Sequence, residues 1–295
     1  MMLTVVLLLL LPGANKGWAS PRARELDLEQ ALVIAGSDEL DLSGLHLRNG
    51  KLLTVSDKVD DVVYEVAHDG QKAWLKVHRR FKPPVPSGGK LDWEAIQSGP
   101  DGSIYLASEK FGRVATLAPK ARQAVWSTPS TNVGGISDPS AGVEGLALLE
   151  DHKLLLAKER EPRGLVLCTP AKDTPESFKW IPLTSTQYPL PPERQADFAD
   201  LHQESGRVFA LSRNAEMIVE LIRKKGVWKE GKGWSFARAV RDPRHAYLAS
   251  KFGQAEGLTM DASRIYLVID NNRSGRAADS KDRRSTLFVF TRPSL

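Results

Sequence analysis

The chain is nearly devoid of cysteine. Cys168 carries the one thiol among 295 residues, so no internal disulfide can form and the fold must be held by packing alone. Cys168 ends the apolar run Leu165-Val166-Leu167-Cys168, which reads as a buried, inert thiol rather than a nucleophile. Apolar stretches of membrane length are also missing. The longest, residues 3–11, is broken only by Thr4, whereas a spanning helix needs about 20 residues. No long segment keeps the 3.6-residue period of an amphipathic helix, which argues against a helical fold. A Gly-x-Ser-x-Gly elbow, a P-loop, a dinucleotide fingerprint and zinc-type Cys/His spacing are all absent. Charge is close to balanced, with 41 Lys and Arg against 36 Asp and Glu, for a net +5. The excess is spread along the chain, so no nucleic-acid partner is expected.

The short apolar run reads as the core of a signal peptide. Pro12 and Gly13 end it, and Gly17 and Ala19 place small residues before an expected cleavage point at Ala19/Ser20. Met1-Met2 supplies no Lys or Arg, so a buried N-terminal strand or an uncleaved anchor is the competing reading. Three segments are expected: a signal peptide at 1–19, an N-terminal segment at 20–37, and one folded domain at 38–295. The product would be exported, to the periplasm or cell envelope, with no transmembrane segment.

What the sequence does have is a repeat. Five stretches align, beginning at Leu40, Leu91, Ala141, Ala196 and Gly253. One column holds Ser43, Glu94, Glu144, Ala199 and Glu256, at steps of 51, 50, 55 and 57 residues. After each column residue comes a short apolar strand, then a polar turn such as Gly99-Pro100-Asp101-Gly102, then a second apolar strand. Asp and Gly suit tight turns because they tolerate positive φ. A third strand follows, and weaker outer strands are legible at 72–77, 123–127, 179–183 and 227–231. Units of this period, each of three or four antiparallel strands, are propeller blades. The expected fold is therefore all-β, a five-bladed β-propeller, in which strand 31–35 closes the ring beside the C-terminal strand.

The first strand of a blade lines the central channel. Glu94, Glu144 and Glu256 should then converge at one mouth, with Asp197 or Asp200 substituting where Ala199 leaves a gap. Asp57, Glu109, Glu159 and Asp270 end the second strands and should return to the same mouth. Clustered carboxylates must protonate, pair with cations or bind a metal. An oxygen-only donor set points to a hard cation, Ca²⁺ before Mg²⁺. The metal candidates are Glu94, Glu144, Glu256, Asp200, Glu109 and Glu159. The alternative is that each carboxylate ties neighbouring strands through backbone N–H groups, with Lys58, Lys110, Lys158, Arg160 and Arg213 as countercharge.

The stretch VEGLALLEDHKLLLAKEREPRGL, residues 143–165, resembles the SdiA-regulated family of bacterial envelope proteins. So do DLSGLHLRNGKLLTVSD, DFADLHQESGRVFALSR and AEGLTMDASRIYLVIDNN. The resemblance spans about residues 38–290. It implies a five-bladed propeller distantly related to NHL repeats, a calcium site carried by the acidic column, and no established catalysis. Blade four departs from the family pattern, with Ala199-Asp200-Leu201 where Ser-Gly-Leu is usual. A more distant similarity is to the phytase-like esterase propellers.

Two functions follow. The first is a non-catalytic, monomeric, calcium-binding propeller whose loop face holds a protein or small-molecule ligand. The second is a metal-dependent hydrolase of lactonase, esterase or phosphoesterase type, with His46, His202 and Glu144 as reacting groups and Lys158, Arg160 and Arg213 as an anion clamp. His46 and His202 occupy equivalent repeat positions and serve equally as inner-strand polar residues. The basic run His78-Arg79-Arg80-Phe81-Lys82 reads as a solvated loop between blades, and residues 271–284 as a mobile polar loop.

Overall fold

A computed structural model describes residues 23–85, 89–129, 133–138, 140–169, 178–248 and 252–294. The expected signal peptide at 1–19 and its cleavage point lie outside the described residues. No described helix is long and apolar enough to cross a membrane.

The alternating apolar pattern produces antiparallel strands in runs of four. The first run is Leu42–Arg48, Lys51–Ser56, Val59–His68 and Ala73–Arg80. The second is Trp93–Ser98, Ile104–Ser108, Arg113–Leu117 and Val125–Trp126. The third is Val143–Leu148, Leu154–Lys158, Gly164–Cys168 and Phe178–Pro182. The fourth is Asp200–Glu204, Arg207–Ser212, Met217–Lys224 and Val227–Ser235. The last is Ala255–Met260, Arg264–Ile269 and Thr286–Thr291, with Leu28–Ala35 from the N-terminal segment pairing antiparallel to Thr286–Thr291.

Hydrogen bonding divides these strands into four sheets rather than five. Leu28–Ala35 also pairs in parallel with Ala73–Arg80, through Ile34 with Ala73 and Ala35 with Trp74. That contact fuses the first and last runs into one eight-stranded sheet. Arg24–Glu25 adds a short parallel strand to the outer edge of the fourth run.

The first strands of the runs surround a common axis. Leu42–Arg48 packs on Trp93–Ser98, then Val143–Leu148, Asp200–Glu204 and Ala255–Met260 follow, and the last returns to Leu42–Arg48. The apolar core is distributed between runs. Leu53 and Val55 meet Trp93 and Leu106; Ala107 and Val114 meet Leu146 and Leu156; Leu155 and Leu165 meet Leu201 and Trp228. Phe209 and Ile218 meet Leu267 and Phe288, and Val268 and Leu287 meet Leu52 and Val66. Each fully buried Leu or Val among them contributes roughly 1.5–3 kcal/mol of transfer free energy. Cys168 is buried in one of these clusters, as its apolar neighbours suggested.

Close approach at the axis explains the Glu-Gly-Leu signature. A Cβ on Gly145 would lie 2.9 Å from the Asp200 backbone, and one on Gly257 would lie 2.7 Å from Leu45 Cβ. Only glycine lets these strands meet.

Two local expectations are corrected. His78, Arg79 and Arg80 belong to the strand Ala73–Arg80 rather than to a loop. Arg79 Nη2 donates to the carbonyls of Ala118 (2.7 Å) and Ala121, pinning the edge to the next run. The stretch 271–284 is likewise anchored rather than loose. Arg276 is buried, with Nε 3.0 Å from Asp282 Oδ2 and Nη2 donating to Tyr247 Oη and the Arg284 carbonyl.

Candidate functional site

At the start of the axial strands lies a cavity of about 210 Å³. Eight carboxylates line it: Asp41, Asp57, Glu94, Glu109, Glu144, Glu159, Glu256 and Asp270. The guanidiniums of Arg160 and Arg213 are its cations. The local cause is a β-bulge at each column glutamate. Trp93 pairs with Ser108 and Ala95 with Ala107, leaving Glu94 between them, and the same shift occurs at Glu144 and Glu256. A bulge re-aims the extra residue, here into the channel mouth.

Arg213 organises half of this ring. Its Nη1 donates to both oxygens of Glu256, its Nη2 to Glu159 Oε1, and its Nε to Asp197 Oδ2 at 3.2 Å. Arg160 also pairs with Glu159 Oε1, donates to the Ser140 carbonyl at 2.8 Å, and stacks 4.8 Å over the Phe252 ring. Lys58 bridges Asp41 and Asp57, and Lys90 lies 2.7 Å from Asp92.

Glu94, Glu109 and Glu144 have no such ion pair among the described residues. Glu109, Glu144 and Glu159 can each bring an oxygen within 4.8 Å of the others, as can Asp57, Asp92 and Glu94. Glu109 Oε1 accepts the Gly142 N–H at 3.0 Å. Glu144 is only 6 % exposed, and no hydrogen bond or ion pair reaches its carboxylate among the described residues. Both arginines take Oε1 of Glu159. Burial first, then the charges of Glu109, Asp57, Glu256 and Asp92, push the Glu94 carboxyl well above the usual range. Burial does the same to Glu144; Arg213 opposes it, and Glu94, Glu109 and Glu256 add to it. Burial lifts Glu109 and Glu256 to about 7 and Asp270 to about 6.

Asp200 stands apart from the other metal candidates. Its strand has no bulge. Its Oδ2 accepts the backbone N–H of Leu258 (2.8 Å) and of Leu45 (3.2 Å), and its Oδ1 accepts that of Leu201 (2.8 Å). Asp200 thus ties three axial strands below the cavity. Asp197 does not join the cavity lining; it is buried behind Arg213, whose Nε it takes together with the Asn214 N–H.

Sequence reasoning did not single out Asp41 and Asp92. Each sits two residues before a column residue, Ser43 or Glu94, and just ahead of the axial strand that begins at Leu42 or Trp93. That spacing was the available signal.

The proposed clamp cations are all engaged. Lys158 is buried and its Nζ donates to the carbonyls of Ala141 and Arg160 (2.6 Å to the latter). His46 and His202 lie toward the opposite end of the axial strands. His46 lines a separate cavity with Gln97, Ser98 and Leu148, and its Nε2 is 2.7 Å from Ser98 Oγ. His202 Nδ1 is 3.4 Å from Thr259 Oγ1, and its Nε2 is 3.8 Å from Glu204 Oε2. Neither histidine lines the cavity that holds Glu144.

The family model for SdiA-regulated proteins matches residues 24–273. The chain belongs to the SdiA-regulated family. No curated protein sequence matches it. Among solved structures it is similar to glutaminyl cyclase from Myxococcus xanthus, at 10 % identity and a TM-score of 0.54, over 92 % of this chain and 99 % of that one. A gluconolactonase from Xanthomonas campestris matches at 13 % identity, TM-score 0.46, over 85 % and 72 % of the two chains. Virginiamycin B lyase from Staphylococcus aureus matches at 10 % identity, TM-score 0.45, over 88 % and 98 %. At such identities the likeness concerns the fold alone, and the fold of this SdiA-regulated protein is all-β and propeller-like.

Proposed function

We propose that this SdiA-regulated protein is an exported, non-catalytic propeller of the cell envelope that binds calcium at its acidic mouth and presents its loop face to a protein or small-molecule ligand. Five blades are part of this reading. The eight-stranded sheet counts as two blades joined by the short parallel contact at Ile34 and Ala35, and five of the six apolar clusters among the described residues lie between neighbouring runs.

The observation that carries the metal reading is Glu144, whose carboxylate lines the cavity with no hydrogen bond or ion pair among the described residues, beside Glu109 and Glu159, which can each bring an oxygen within 4.8 Å of it. An unpaired buried charge is costly, and a cation relieves that cost. The donors are all oxygen, which suits Ca²⁺. Glu109, Glu144 and Glu159 would hold the ion, and Glu94 would supply further negative charge. Glu256 and Asp200 have their oxygens committed to Arg213 and to backbone N–H groups, so they act as struts of the site. Bound calcium supplies fixed positive charge where the protein has placed negative charge.

The hydrolase reading loses support from the same geometry. His46 lines a different cavity from Glu144, His202 lines neither, and the clamp cations already hold carboxylates and carbonyls.

Calorimetric titration of calcium into wild type and into Glu144→Gln tests the proposal, with thermal melts of both. Wild type should bind and gain about 2.7 kcal/mol of stability at a hundredfold excess over Kd. Glu144→Gln should lose both effects. Absence of calcium binding by wild type would sink the metal reading and leave a plain interaction scaffold.

A further inference from the structure

Beside the acidic mouth, and sharing Arg213 and Phe252 with it, is a second cavity of about 320 Å³. Its chemistry is the reverse of its neighbour's. Phe236, Val240, Tyr247 and Phe288 form apolar walls. The Tyr247 hydroxyl donates to the Arg284 carbonyl and meets Thr286 Oγ1 at 2.9 Å, so the tyrosine offers the cavity its ring. Polar groups on the lining are Arg213, which is committed to Glu256, Glu159 and Asp197, together with His245, Gln254 and the set Arg194, Arg241 and Glu216.

These three form an incomplete set. Glu216 is 8 % exposed in its side chain and takes Arg194 Nη1 on Oε1 at 3.2 Å. Arg241 Nη2 is ion-paired with Oε2 at 2.7 Å but off the line of a hydrogen bond, so that buried oxygen receives no aligned hydrogen bond among the described residues. Arg241 is 60 % exposed, so its guanidinium is open to a ligand. Two guanidiniums therefore face one carboxylate, a local excess of one positive charge. Glu216 also holds a φ of 56°, a left-handed conformation that costs a non-glycine residue free energy and gathers at ligand sites. An apolar cavity with a few convergent polar groups is the usual form of a small-molecule site.

We propose that this cavity binds a small organic acid that combines a carboxylate, one hydrogen-bond donor and an apolar body. The carboxylate meets Arg241, whose planar fork suits bidentate recognition. The donor, a hydroxyl or an ammonium, satisfies Glu216 Oε2. The apolar body lies against Phe236, Val240, Tyr247 and Phe288. The site stands without the calcium reading, because none of the residues that would hold calcium contributes to it.

The test is calorimetric titration with 3-phenyllactate, which carries all three features, in calcium-free and calcium-saturated buffer. Wild type should bind it in both. Arg241→Gln, at an exposed position, should weaken binding about tenfold, the loss expected for one charge-assisted contact. Val240→Trp should abolish binding by filling the cavity from a partly exposed position. 3-Phenyl-1,2-propanediol, which lacks the carboxylate, should bind at least tenfold more weakly than the acid. Failure of wild type to bind phenyllactate at millimolar concentration overturns the proposal. So does equal binding of the diol, or undiminished binding by both variants. Glu144→Gln should leave this titration unchanged, so the two proposals can fail separately.

Discussion

The two ends of the central channel are built from the same five strands and reach opposite electrostatic solutions. At the start of the strands, carboxylates outnumber cations and burial pushes Glu94, Glu109, Glu144 and Glu256 upward. At the far end Glu204 is held down to about 2; burial works against its charge, but His202 and Arg292 outweigh it. Arg292 pairs with both oxygens of Glu204. His46, buried and close to His202 and Arg48, is lowered to about 3. One end is short of cations. The other has its charge neutralised within the chain. Uptake of an external cation, as proposed, would draw on anions without a partner, and at the acidic end Glu94 and Glu144 have no hydrogen bond or ion pair among the described residues.

The sharpest way to break this contrast is to remove Arg213, the cation that three carboxylates of the acidic end share. Arg213→Met leaves Glu256, Glu159 and Asp197 buried without their shared partner. Loss of one member of a buried ionic network costs about 3–5 kcal/mol, and urea unfolding of the calcium-free variant should read that loss. Calcium should restore part of it, because a bound ion replaces the missing charge.

Asp200→Ala should come next, at about 2–3 kcal/mol, since it strands three buried N–H donors. Asp200→Asn should cost less, because its amide oxygen still accepts. Melting curves would rank the two. An equal loss would mean that the carboxylate charge, not its acceptor geometry, ties the strands.

These residues also mark where the sequence stopped being readable. The repeat grammar was enough for the strands, the turns and the convergence of Glu94, Glu144 and Glu256 with Glu109 and Glu159, because strand period and hairpin return are local properties. It did not separate struts from candidate ligands. Glu144 and Glu256 occupy the same column in the same Glu-Gly-Leu context. Only the approach of Arg213, 43 residues before Glu256 in the chain, makes one a strut. Asp200 is displaced by one residue from the column, and that shift exchanges a bulged side chain for one aimed at neighbouring backbones. The parallel contact that fuses the first and last runs has no sequence signal, because it uses backbone groups alone.

A smaller effect concerns pH at the acidic end. Glu109 and Glu256 hold protons to about 7 in the folded protein but to about 4.3 when unfolded. Between those values the folded state binds more protons, so stability falls as pH rises from roughly 4.5 to 7. The calcium-free protein should therefore melt at a lower temperature at pH 8 than at pH 5. Calcium should reduce that difference, since the ion takes the place of the protons. Glu109→Gln should flatten the slope in calcium-free buffer. An unchanged slope would place the titration elsewhere.

The far end should show the opposite slope, with the smallest amplitude. His46 is lowered to about 3 when folded, first by burial and then by His202 and Arg48, against about 6.5 unfolded. Between those values the unfolded chain binds the extra proton, so stability falls as pH drops below about 6.5. His46→Gln removes the titrating group. Its amide can still meet Ser98 Oγ, so at pH 8 the variant should lie within about 1 kcal/mol of wild type. Below pH 6 it should lose less stability than wild type for each step of acidification. Melts of both proteins from pH 8 to pH 4 in calcium-free buffer measure this directly. Parallel curves would mean that His46 takes up its proton in the folded state. The far end would then have to supply an anion for it, and the contrast between the two ends would be one of degree rather than of sign.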